Sequence, residues 1–186
     1  TPIHSVNRLC SSGLEAVGQI ASKIRAGLLD IGIAGGVEQM SQYDMQSSAP
    51  QPDLIAEEVF ENEQARNCLM GMGQTSENVA EKYNISREVQ DRFAAESQRR
   101  AYEAQTKGLF KEEIVPIKTS IKKKKGEEEI REEIFVDKDD GIRKETTFES
   151  LQKLKPAFKK NGVSTAGNSS QITDGAAAVL LARRST

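Results

Sequence analysis

The sequence is poorest in histidine: its 186 residues include a single copy, His4. One histidine restricts every mechanism that needs a histidine base and excludes a site with two histidine ligands. The two cysteines, Cys10 and Cys68, are too few for a secreted disulfide scaffold and favour a reducing compartment. They are also too widely spaced to form a metal-ligand pattern, so we expect no metal site.

Net charge and long apolar runs are scarce as well. The 26 basic and 28 acidic side chains give a formal net charge of -2, so there is no broad positive field for nucleic acid or an anionic membrane. No apolar run approaches the roughly 18 residues that span a bilayer. We therefore expect neither nucleic acid nor membrane as a partner. The length fits one domain, or a domain with a large insertion.

Both ends of the sequence look cut. Thr1 runs into apolar alternation without an initiator Met, a charged leader or a signal-like apolar stretch. The apolar run Ala176 to Ala182 predicts a buried strand, which needs neighbours on both sides, and few other segments could supply them. We expect further sequence at both ends.

Hydrophobic periodicity predicts an α/β protein. A strand over residues 3–8 is followed by a helix with apolar positions from Leu14 to Leu28, and then by a strand over 30–36. A strand-helix-strand unit of this kind builds a parallel sheet.

The middle of the sequence is predicted to be a polar surface excursion followed by helices. Ser86 is the expected N-cap of a long helix ending at Gly108, whose stripe Val89, Phe93, Ser97, Ala101 and Ala104 favours packing over ligand binding. The remaining predicted elements are a surface segment over 41–67, a helix over 75–83, a strand over 114–117, an exposed charged hairpin over 122–133 and a short helix over 146–158.

Cys10 is the best candidate nucleophile. It lies where a predicted strand gives way to a helix, so its sulfur can face the unpaired N-H groups of the first helical turn, which favour thiolate over thiol. Its own backbone N-H would supply half of an oxyanion hole. The alternative is a small buried cysteine in a sheet.

The small residues from Thr165 to Ser170 predict either a tight turn or a surface on which a narrow ligand lies against the backbone. Gly35-Gly36 and Gly71-Met72-Gly73 lack the spacing and the lysine of a phosphate loop.

Several motifs resemble the thiolase family. The segment around Cys10, Val6 to Ala16, looks like its nucleophile signature, and Gly35 to Ser41 resembles the strand and turn that follow. The remaining similar stretches cover nearly the whole chain in order: Gly71 to Ala80, Ile85 to Asp91, Asp140 to Arg143, Leu154 to Phe158 and Thr165 to Ala177. Residues 67–69 and 180–185 are most similar to the peroxisomal 3-ketoacyl-CoA subgroup.

The resemblance implies a layered α-β-α-β-α fold, here with only part of the N-terminal half and the loop domain. Residues 1–40 would belong to the N-terminal half, residues 41–166 to a CoA-binding loop domain, and residues 167–186 to a segment returning as a strand of that half. The C-terminal half would be absent, and with it the family's second cysteine and its catalytic His and Asn. We therefore expect the 186-residue chain alone to be inactive.

The resemblance also implies residue roles. Cys10 would attack the 3-keto carbon of a 3-ketoacyl-CoA, and Met72 would line the acyl pocket. Arg143 would stack on the CoA adenine, a role suited to a planar cation. Other positions along the CoA site are Ser150, Leu154 and Phe158, with Ala166 and Ser170 flanking the pantetheine. CoA would be a substrate, and no cofactor is expected.

Gly71 stands where acetoacetyl-specific members place a histidine, which favours the broader degradative subgroup.

The resemblance further implies a homo-oligomer and a peroxisomal location, with the mitochondrial matrix as the alternative. The functional alternatives are an acetoacetyl-CoA thiolase, a condensing synthase of the same superfamily, a non-catalytic acyl-CoA or lipid-carrier relative, or a truncated product that associates with the full-length enzyme. His4 matches no family base and is expected to be structural. Cys68 is either a plain buried thiol or the partner of Cys10 in a reversible disulfide.

Overall fold

The computed structural model describes residues 1–43, 51–125 and 128–186, with side chains left out at 52, 122–125 and 128–130. Its elements, in chain order, are α1 Ser12–Arg25, β1 Ile31–Glu38, a 3-10 turn Pro52–Leu54, α2 Glu57–Glu61, α3 Glu63–Asn67, α4 Met72–Tyr83, α5 Arg87–Thr106, β2 Ile117–Lys125, β3 Glu128–Val136, α6 Phe148–Gln152 and β4 Gly175–Ala182. Packing divides the chain into a first unit, Thr1–Gln51 with Ile172–Thr186, and a second unit, Pro52–Gln171. The predicted domain boundaries at 40 and 166 stay predictions.

The first unit is a two-stranded sheet with a helix packed on it. β1 pairs antiparallel with β4, from Ile31 opposite Ala182 to Glu38 opposite Gly175, and α1 packs against both strands. A Cβ at Gly32 would lie 2.7 Å from Ile20 Cγ2, so the missing side chain lets α1 approach β1. The helix ends in a Schellman motif, because Gly27 has a φ of 77° and Leu28 N donates to Lys23 O at 2.9 Å.

Three predictions for the first unit are wrong. Residues 3–8, with His4, are not a strand, since no described strand pairs with them and a strand depends on a hydrogen-bonded neighbour. The described pairing of β1 is antiparallel, not parallel. β4 is exposed apart from the half-buried Leu181, since among the described strands only β1 lies beside it.

The second unit contains the helices α4 and α5, and local signals predict their C-terminal ends well. Ser86 Oγ accepts from Val89 N at 3.3 Å and caps the start of α5 as predicted. Asn84 ends α4 in the left-handed conformation, with a φ of 53°, and Gly108 follows α5 with a φ of 70°. The predicted hairpin is confirmed as β2 and β3, while residues 126–127 lie outside the described part.

Other predictions for the second unit need correction. The segment 41–67 contains a 3-10 turn and the helices α2 and α3, while its residues 44–50 lie outside the described part. The strand predicted at Ile114 begins only at Ile117. α6 covers only Phe148–Gln152, because Pro156 has no N-H to donate to the Gln152 carbonyl and its ring would clash with that carbonyl in a longer helix. The α5 stripe is packed only in part on described residues: Val89 is 58% exposed and Phe93 is 77% exposed, whereas Ala101 and Ala104 are half-buried.

The buried centre of the second unit is largely polar. Ala80 and Leu151 are its buried apolar residues, and they are joined by Glu77, Asp91, Ser164 and Thr165. Buried polar groups need hydrogen-bonding partners, and every buried side-chain nitrogen and oxygen among the described residues has one. Of the helices in the described ranges, none is both long and apolar enough to cross a bilayer.

Candidate active site

The candidate nucleophile lies in the first unit, in a tightly hydrogen-bonded turn before α1. Cys10 is a free, exposed cysteine next to Ser11, the N-cap of that helix. Ser12 Oγ donates to Leu9 O at 2.7 Å and accepts from Arg8 N at 2.8 Å. Leu9 takes a left-handed φ of 50°, which a leucine rarely adopts without support from its surroundings. The predicted helix start is confirmed, and the cysteine is not buried in a sheet.

The first turn of α1 offers donors beside Cys10. The N-cap makes no side-chain bond, and within the described residues the N-H groups of Gly13 and Leu14 have no partner. Such groups and the helix dipole stabilise negative charge at a helix N-terminus. Hydrogen bonds from the Gln19 amide and then from the Arg8 guanidinium lower the pKa of Glu15 in the same turn. The unpaired N-H groups of this turn are suited to donate to an oxyanion.

The predicted acyl-pocket and CoA-contact residues all lie in the second unit, on three of its segments. Met72 is the first residue of α4 and is 62% exposed. Its neighbour Gly73 has no side chain, and the ring of Phe158 occupies the space where a Cβ would stand. The missing side chain thus brings Met72 and Phe158, predicted separately from the sequence, close together.

A second close approach joins α6 to the small-residue segment. Leu154 Cδ1 lies against Gly167, so Leu154 is adjacent to Ala166. Ser150 is exposed and completes a capping box at the start of α6: its N-H donates to Thr147 Oγ1 at 3.2 Å, and its hydroxyl accepts from Thr147 N at 3.0 Å. Ser150 therefore fixes the helix that leads to Leu154.

The two remaining predicted CoA contacts, Arg143 and Ser170, are linked by a hydrogen bond between residues next to them in the chain. Gln171, next to Ser170, donates from Nε2 to Gly141 O, two residues before Arg143. The N-H of Arg143 donates to Gln98 Oε1 at 2.9 Å. The guanidinium of Arg143 is exposed and pairs with no described residue, so it is available for an adenine ring or a phosphate.

Sequence reasoning missed the polar residues that support this surface. The buried carboxylate of Glu77 accepts from Ser164 N at 2.8 Å and from Val163 N at 3.0 Å. The half-buried Asn168 donates from Nδ2 to Val163 O and to the buried Asp91, each at 3.0 Å. The sequence signals were weak: Arg87 and Asp91 have the i, i+4 spacing of a helical ion pair, and Asn168 stands in turn-forming composition.

An open groove of about 360 Å³ borders this support. Its lining includes Glu81 and Lys159, which pair at 2.7 Å. The hydrogen bond from Lys159 lowers the pKa of Glu81, and the carboxylate raises the pKa of Lys159. Within the described ranges, no group of three or more His, Cys, Asp or Glu side chains could hold a metal ion.

Cys68 lies in the second unit as a free, exposed thiol whose Sγ contacts Gln64 O at 3.5 Å. The expectation of a plain buried thiol is therefore wrong, and the reversible disulfide with Cys10 stays a prediction.

The chain is similar to known proteins over nearly its whole length. The sequence profile of the thiolase N-terminal domain matches residues 1–185. The human peroxisomal 3-ketoacyl-CoA thiolase is 56% identical over 184 residues, which are 99% of this chain and 42% of that protein. The chain spans about two fifths of the length of the relatives it matches.

Solved thiolase structures are also similar to the chain over nearly its whole length. The dimeric peroxisomal thiolase of Saccharomyces cerevisiae matches with a TM-score of 0.83 at 46% identity, over 97% of this chain and 43% of that one. Human mitochondrial 3-ketoacyl-CoA thiolase in complex with CoA matches with a TM-score of 0.73 at 32% identity, over 97% and 44% of the two chains.

Proposed function

The chain belongs to the thiolase family, and from that premise we propose that it is the nucleophile-bearing and CoA-binding part of a 3-ketoacyl-CoA thiolase. The observation that carries the proposal is the position of the exposed Cys10 directly ahead of α1, in a chain that matches the family's N-terminal domain over residues 1–185. The proposed reaction is thiolytic cleavage of a 3-ketoacyl-CoA by CoA, which yields acetyl-CoA and an acyl-CoA two carbons shorter.

In the first step, the Cys10 thiolate attacks the 3-keto carbon and forms a carbon-sulfur bond. The bond between carbons 2 and 3 then breaks, its electron pair leaves as the acetyl-CoA enolate, and an acid protonates that enolate. The shortened acyl group stays on Cys10 as a thioester. In the second step, the thiol of free CoA loses its proton to a base and takes the acyl group, which regenerates the Cys10 thiolate.

Stabilisation of the developing oxyanion is the part of this chemistry that the first unit supports. The N-H groups of Gly13 and Leu14 are unpaired within the described residues, and donors of this kind lower the barrier for acyl transfer. We propose that the acid and the base come from residues outside this 186-residue sequence, as the resemblance to the family implies. The chain alone is therefore proposed to be inactive.

CoA is proposed to bind along the second unit, which carries the six predicted CoA-contact positions and Met72 of the acyl pocket. The exposed Arg143 would take the adenine end, and the small residues Ala166 and Ser170 would allow the narrow pantetheine to lie close to the backbone. Leu154 and Phe158 are half-exposed, at 39% and 50%, and would give this surface its apolar contacts. Met72, next to Phe158 across Gly73, would meet the acyl chain. No cofactor is needed, since CoA is itself a substrate.

The names of relatives support the finer assignments. The human, rat and Arabidopsis relatives are peroxisomal 3-ketoacyl-CoA thiolases, and the yeast structure is described as dimeric. We therefore propose a role in fatty acid β-oxidation, a peroxisomal location and a homodimer for the protein that carries this chain.

The test is thiolysis of a medium-chain 3-ketoacyl-CoA by the complete protein and its cysteine variants. Cys10→Ser is expected to lower kcat by at least about a thousandfold, because a hydroxyl at this position is a far weaker nucleophile. Cys68→Ser is the matched control and should retain activity. A Cys10→Ser enzyme with near-normal kcat would refute the proposed nucleophile. Near-normal activity of the isolated 186-residue chain would refute the proposal that the acid and base lie outside it.

A further inference from the structure

Asp91 is fully buried and ionisable, and its carboxylate has two partners from different parts of the second unit. Its Oδ2 accepts from Arg87 Nε at 2.7 Å, one turn earlier on α5. Its Oδ1 accepts from Asn168 Nδ2 at 3.0 Å, across a separation of 77 residues in sequence. A buried charge is tolerated when it is paired and hydrogen-bonded, so both partners are needed for this carboxylate to stay inside.

The same guanidinium also binds the end of α6. Arg87 Nη2 donates to Leu151 O at 2.6 Å and to Leu154 O at 3.1 Å. The Leu151 carbonyl lies in the last turn of α6, where carbonyls lack intrahelical partners, and the Leu154 carbonyl lies two residues beyond the helix. Arg87 therefore satisfies them and fixes the chain at Leu154, one of the predicted CoA contacts.

Asn168 in turn fixes the small-residue segment. Its Oδ1 accepts from Thr165 N at 2.8 Å, and its Nδ2 donates to Val163 O at 3.0 Å as well as to Asp91. Thr165 is fully buried. These bonds set the backbone path of the segment that presents Ala166 and Ser170, the residues predicted to flank the pantetheine.

We infer that Arg87, Asp91 and Asn168 form a positioning network, which holds the α6 end and the segment 163–169 in the relative placement that CoA binding requires. The inference rests on the proposed function, since it assigns these residues to the CoA surface of that function. None of the three is a predicted contact residue, and Asp91 is wholly inaccessible to CoA. They act on the ligand through Leu154, Ala166 and Ser170.

Asp91→Asn is the sharpest variant because it is isosteric. One asparagine oxygen can accept from Arg87 or from Asn168, while the amide nitrogen must then face the other donor. One of the two links is therefore lost while the side-chain volume stays the same. Arg87→Lys is the second variant: it keeps the charge but loses the planar fork that binds a carboxylate and two carbonyls together.

The matched control is Glu96→Gln on the same helix. Glu96 is half-exposed, and its carboxylate pairs with Arg99 at 2.7 Å and with Arg100 at 2.7 Å. The control removes a paired carboxylate from α5 without touching the α6 end or residues 163–169.

The experiment measures CoA binding by titration calorimetry and steady-state thiolysis on the complete protein, at a temperature where circular dichroism shows every variant to be folded. Asp91→Asn should raise the Kd and the KM for CoA at least about tenfold and leave kcat at saturating CoA within about twofold. Arg87→Lys should shift the same constants in the same direction, and Glu96→Gln should shift neither.

The outcomes separate the network from the proposed function. A purely structural role of Asp91 would reduce the amount of active protein, so kcat would fall with KM unchanged, and that result would overturn the inference. An unchanged Kd in both network variants, with normal binding by the unmodified protein, would also overturn it and leave the proposed function intact. Failure of the unmodified protein to bind CoA would refute the proposed function and the inference together.

Discussion

Replacing Glu77 by alanine tests how the segment that leads into the small-residue surface is supported. Glu77 is 4% exposed, and its carboxylate accepts from two consecutive backbone N-H groups, those of Val163 and Ser164. In Glu77→Ala both donors lose their acceptor. An unsatisfied buried donor costs about 1–3 kcal/mol, so the pair sets a range of about 2–6 kcal/mol.

The structure narrows that range. Glu77 and Val163 line the open groove of about 360 Å³, so water can reach the vacated position and replace part of the lost bonding. Ser164 is buried at 3% exposure and gains less from that water. We therefore expect a loss of about 3 kcal/mol in the free energy of unfolding for Glu77→Ala.

Glu77→Gln should cost less, because one oxygen suffices for both donors. Oε1 accepts from Val163 N at 3.0 Å and from Ser164 N at 2.8 Å, and an amide oxygen at that position keeps both bonds. The amide nitrogen takes the place of Oε2, which accepts from Val163 N at 3.0 Å, so this contact is lost together with the charge assistance, at a cost of about 1–2 kcal/mol. The predicted order of stability is wild type, then Glu77→Gln, then Glu77→Ala.

The assay is urea unfolding of the full chain followed by far-ultraviolet circular dichroism, since the sequence has no tryptophan for fluorescence. At an m-value of about 2–3 kcal/mol/M, the alanine variant should unfold at a urea concentration lower by about 1 M or more. Glu81→Ala, an exposed carboxylate one turn further along α4, is the control and should leave the midpoint nearly unchanged. A midpoint for Glu77→Ala equal to that of the control would refute the reasoning.

Two further predictions concern a glycine and an aspartate. Gly167→Ala would place a Cβ against Leu151 and Leu154, so it should lower the free energy of unfolding by about 1–3 kcal/mol and weaken CoA binding. Gly18→Ala is the control and should not destabilise the protein, because a Cβ there meets open space. Thermal unfolding measures the stability of both variants, and calorimetry measures their CoA binding. Hydrogen bonds from the Ser41 hydroxyl and backbone N-H lower the pKa of Asp174 below its ordinary 3.8. The stability that this depressed pKa contributes is therefore present above about pH 4 and is lost as the pH falls through the folded value. Ser41→Ala should raise the pKa of Asp174 in an NMR titration, and an unchanged pKa would contradict the assigned cause.

Features with local causes could be predicted from the sequence. The start of α5 follows from the Ser86 cap, and the end of α1 follows from Gly27, since caps and left-handed glycines act within a few residues. The position of Cys10 ahead of α1 follows from the apolar periodicity that begins at Leu14.

Features with distant causes could not be predicted. The antiparallel partner of β1 is β4, more than 130 residues later, and nothing in the alternation of β1 specifies that direction. In the sequence, Asp91 and Glu77 cannot be distinguished from surface carboxylates. Asp91 is buried because it binds Asn168, and Glu77 is buried because it binds the backbone at 163–164. The support of the candidate CoA surface therefore emerges only when the second unit is assembled.

The central claim is that Cys10 carries the acyl group, and the most direct test is to find that group there. The complete protein is incubated with a 3-ketoacyl-CoA, quenched with acid, digested and analysed by mass spectrometry. The expected result is a shortened acyl thioester on the peptide that contains Cys10, which disappears when free CoA is added before quenching. A protein that turns over substrate with its acyl group on any other residue, Cys68 included, would contradict it.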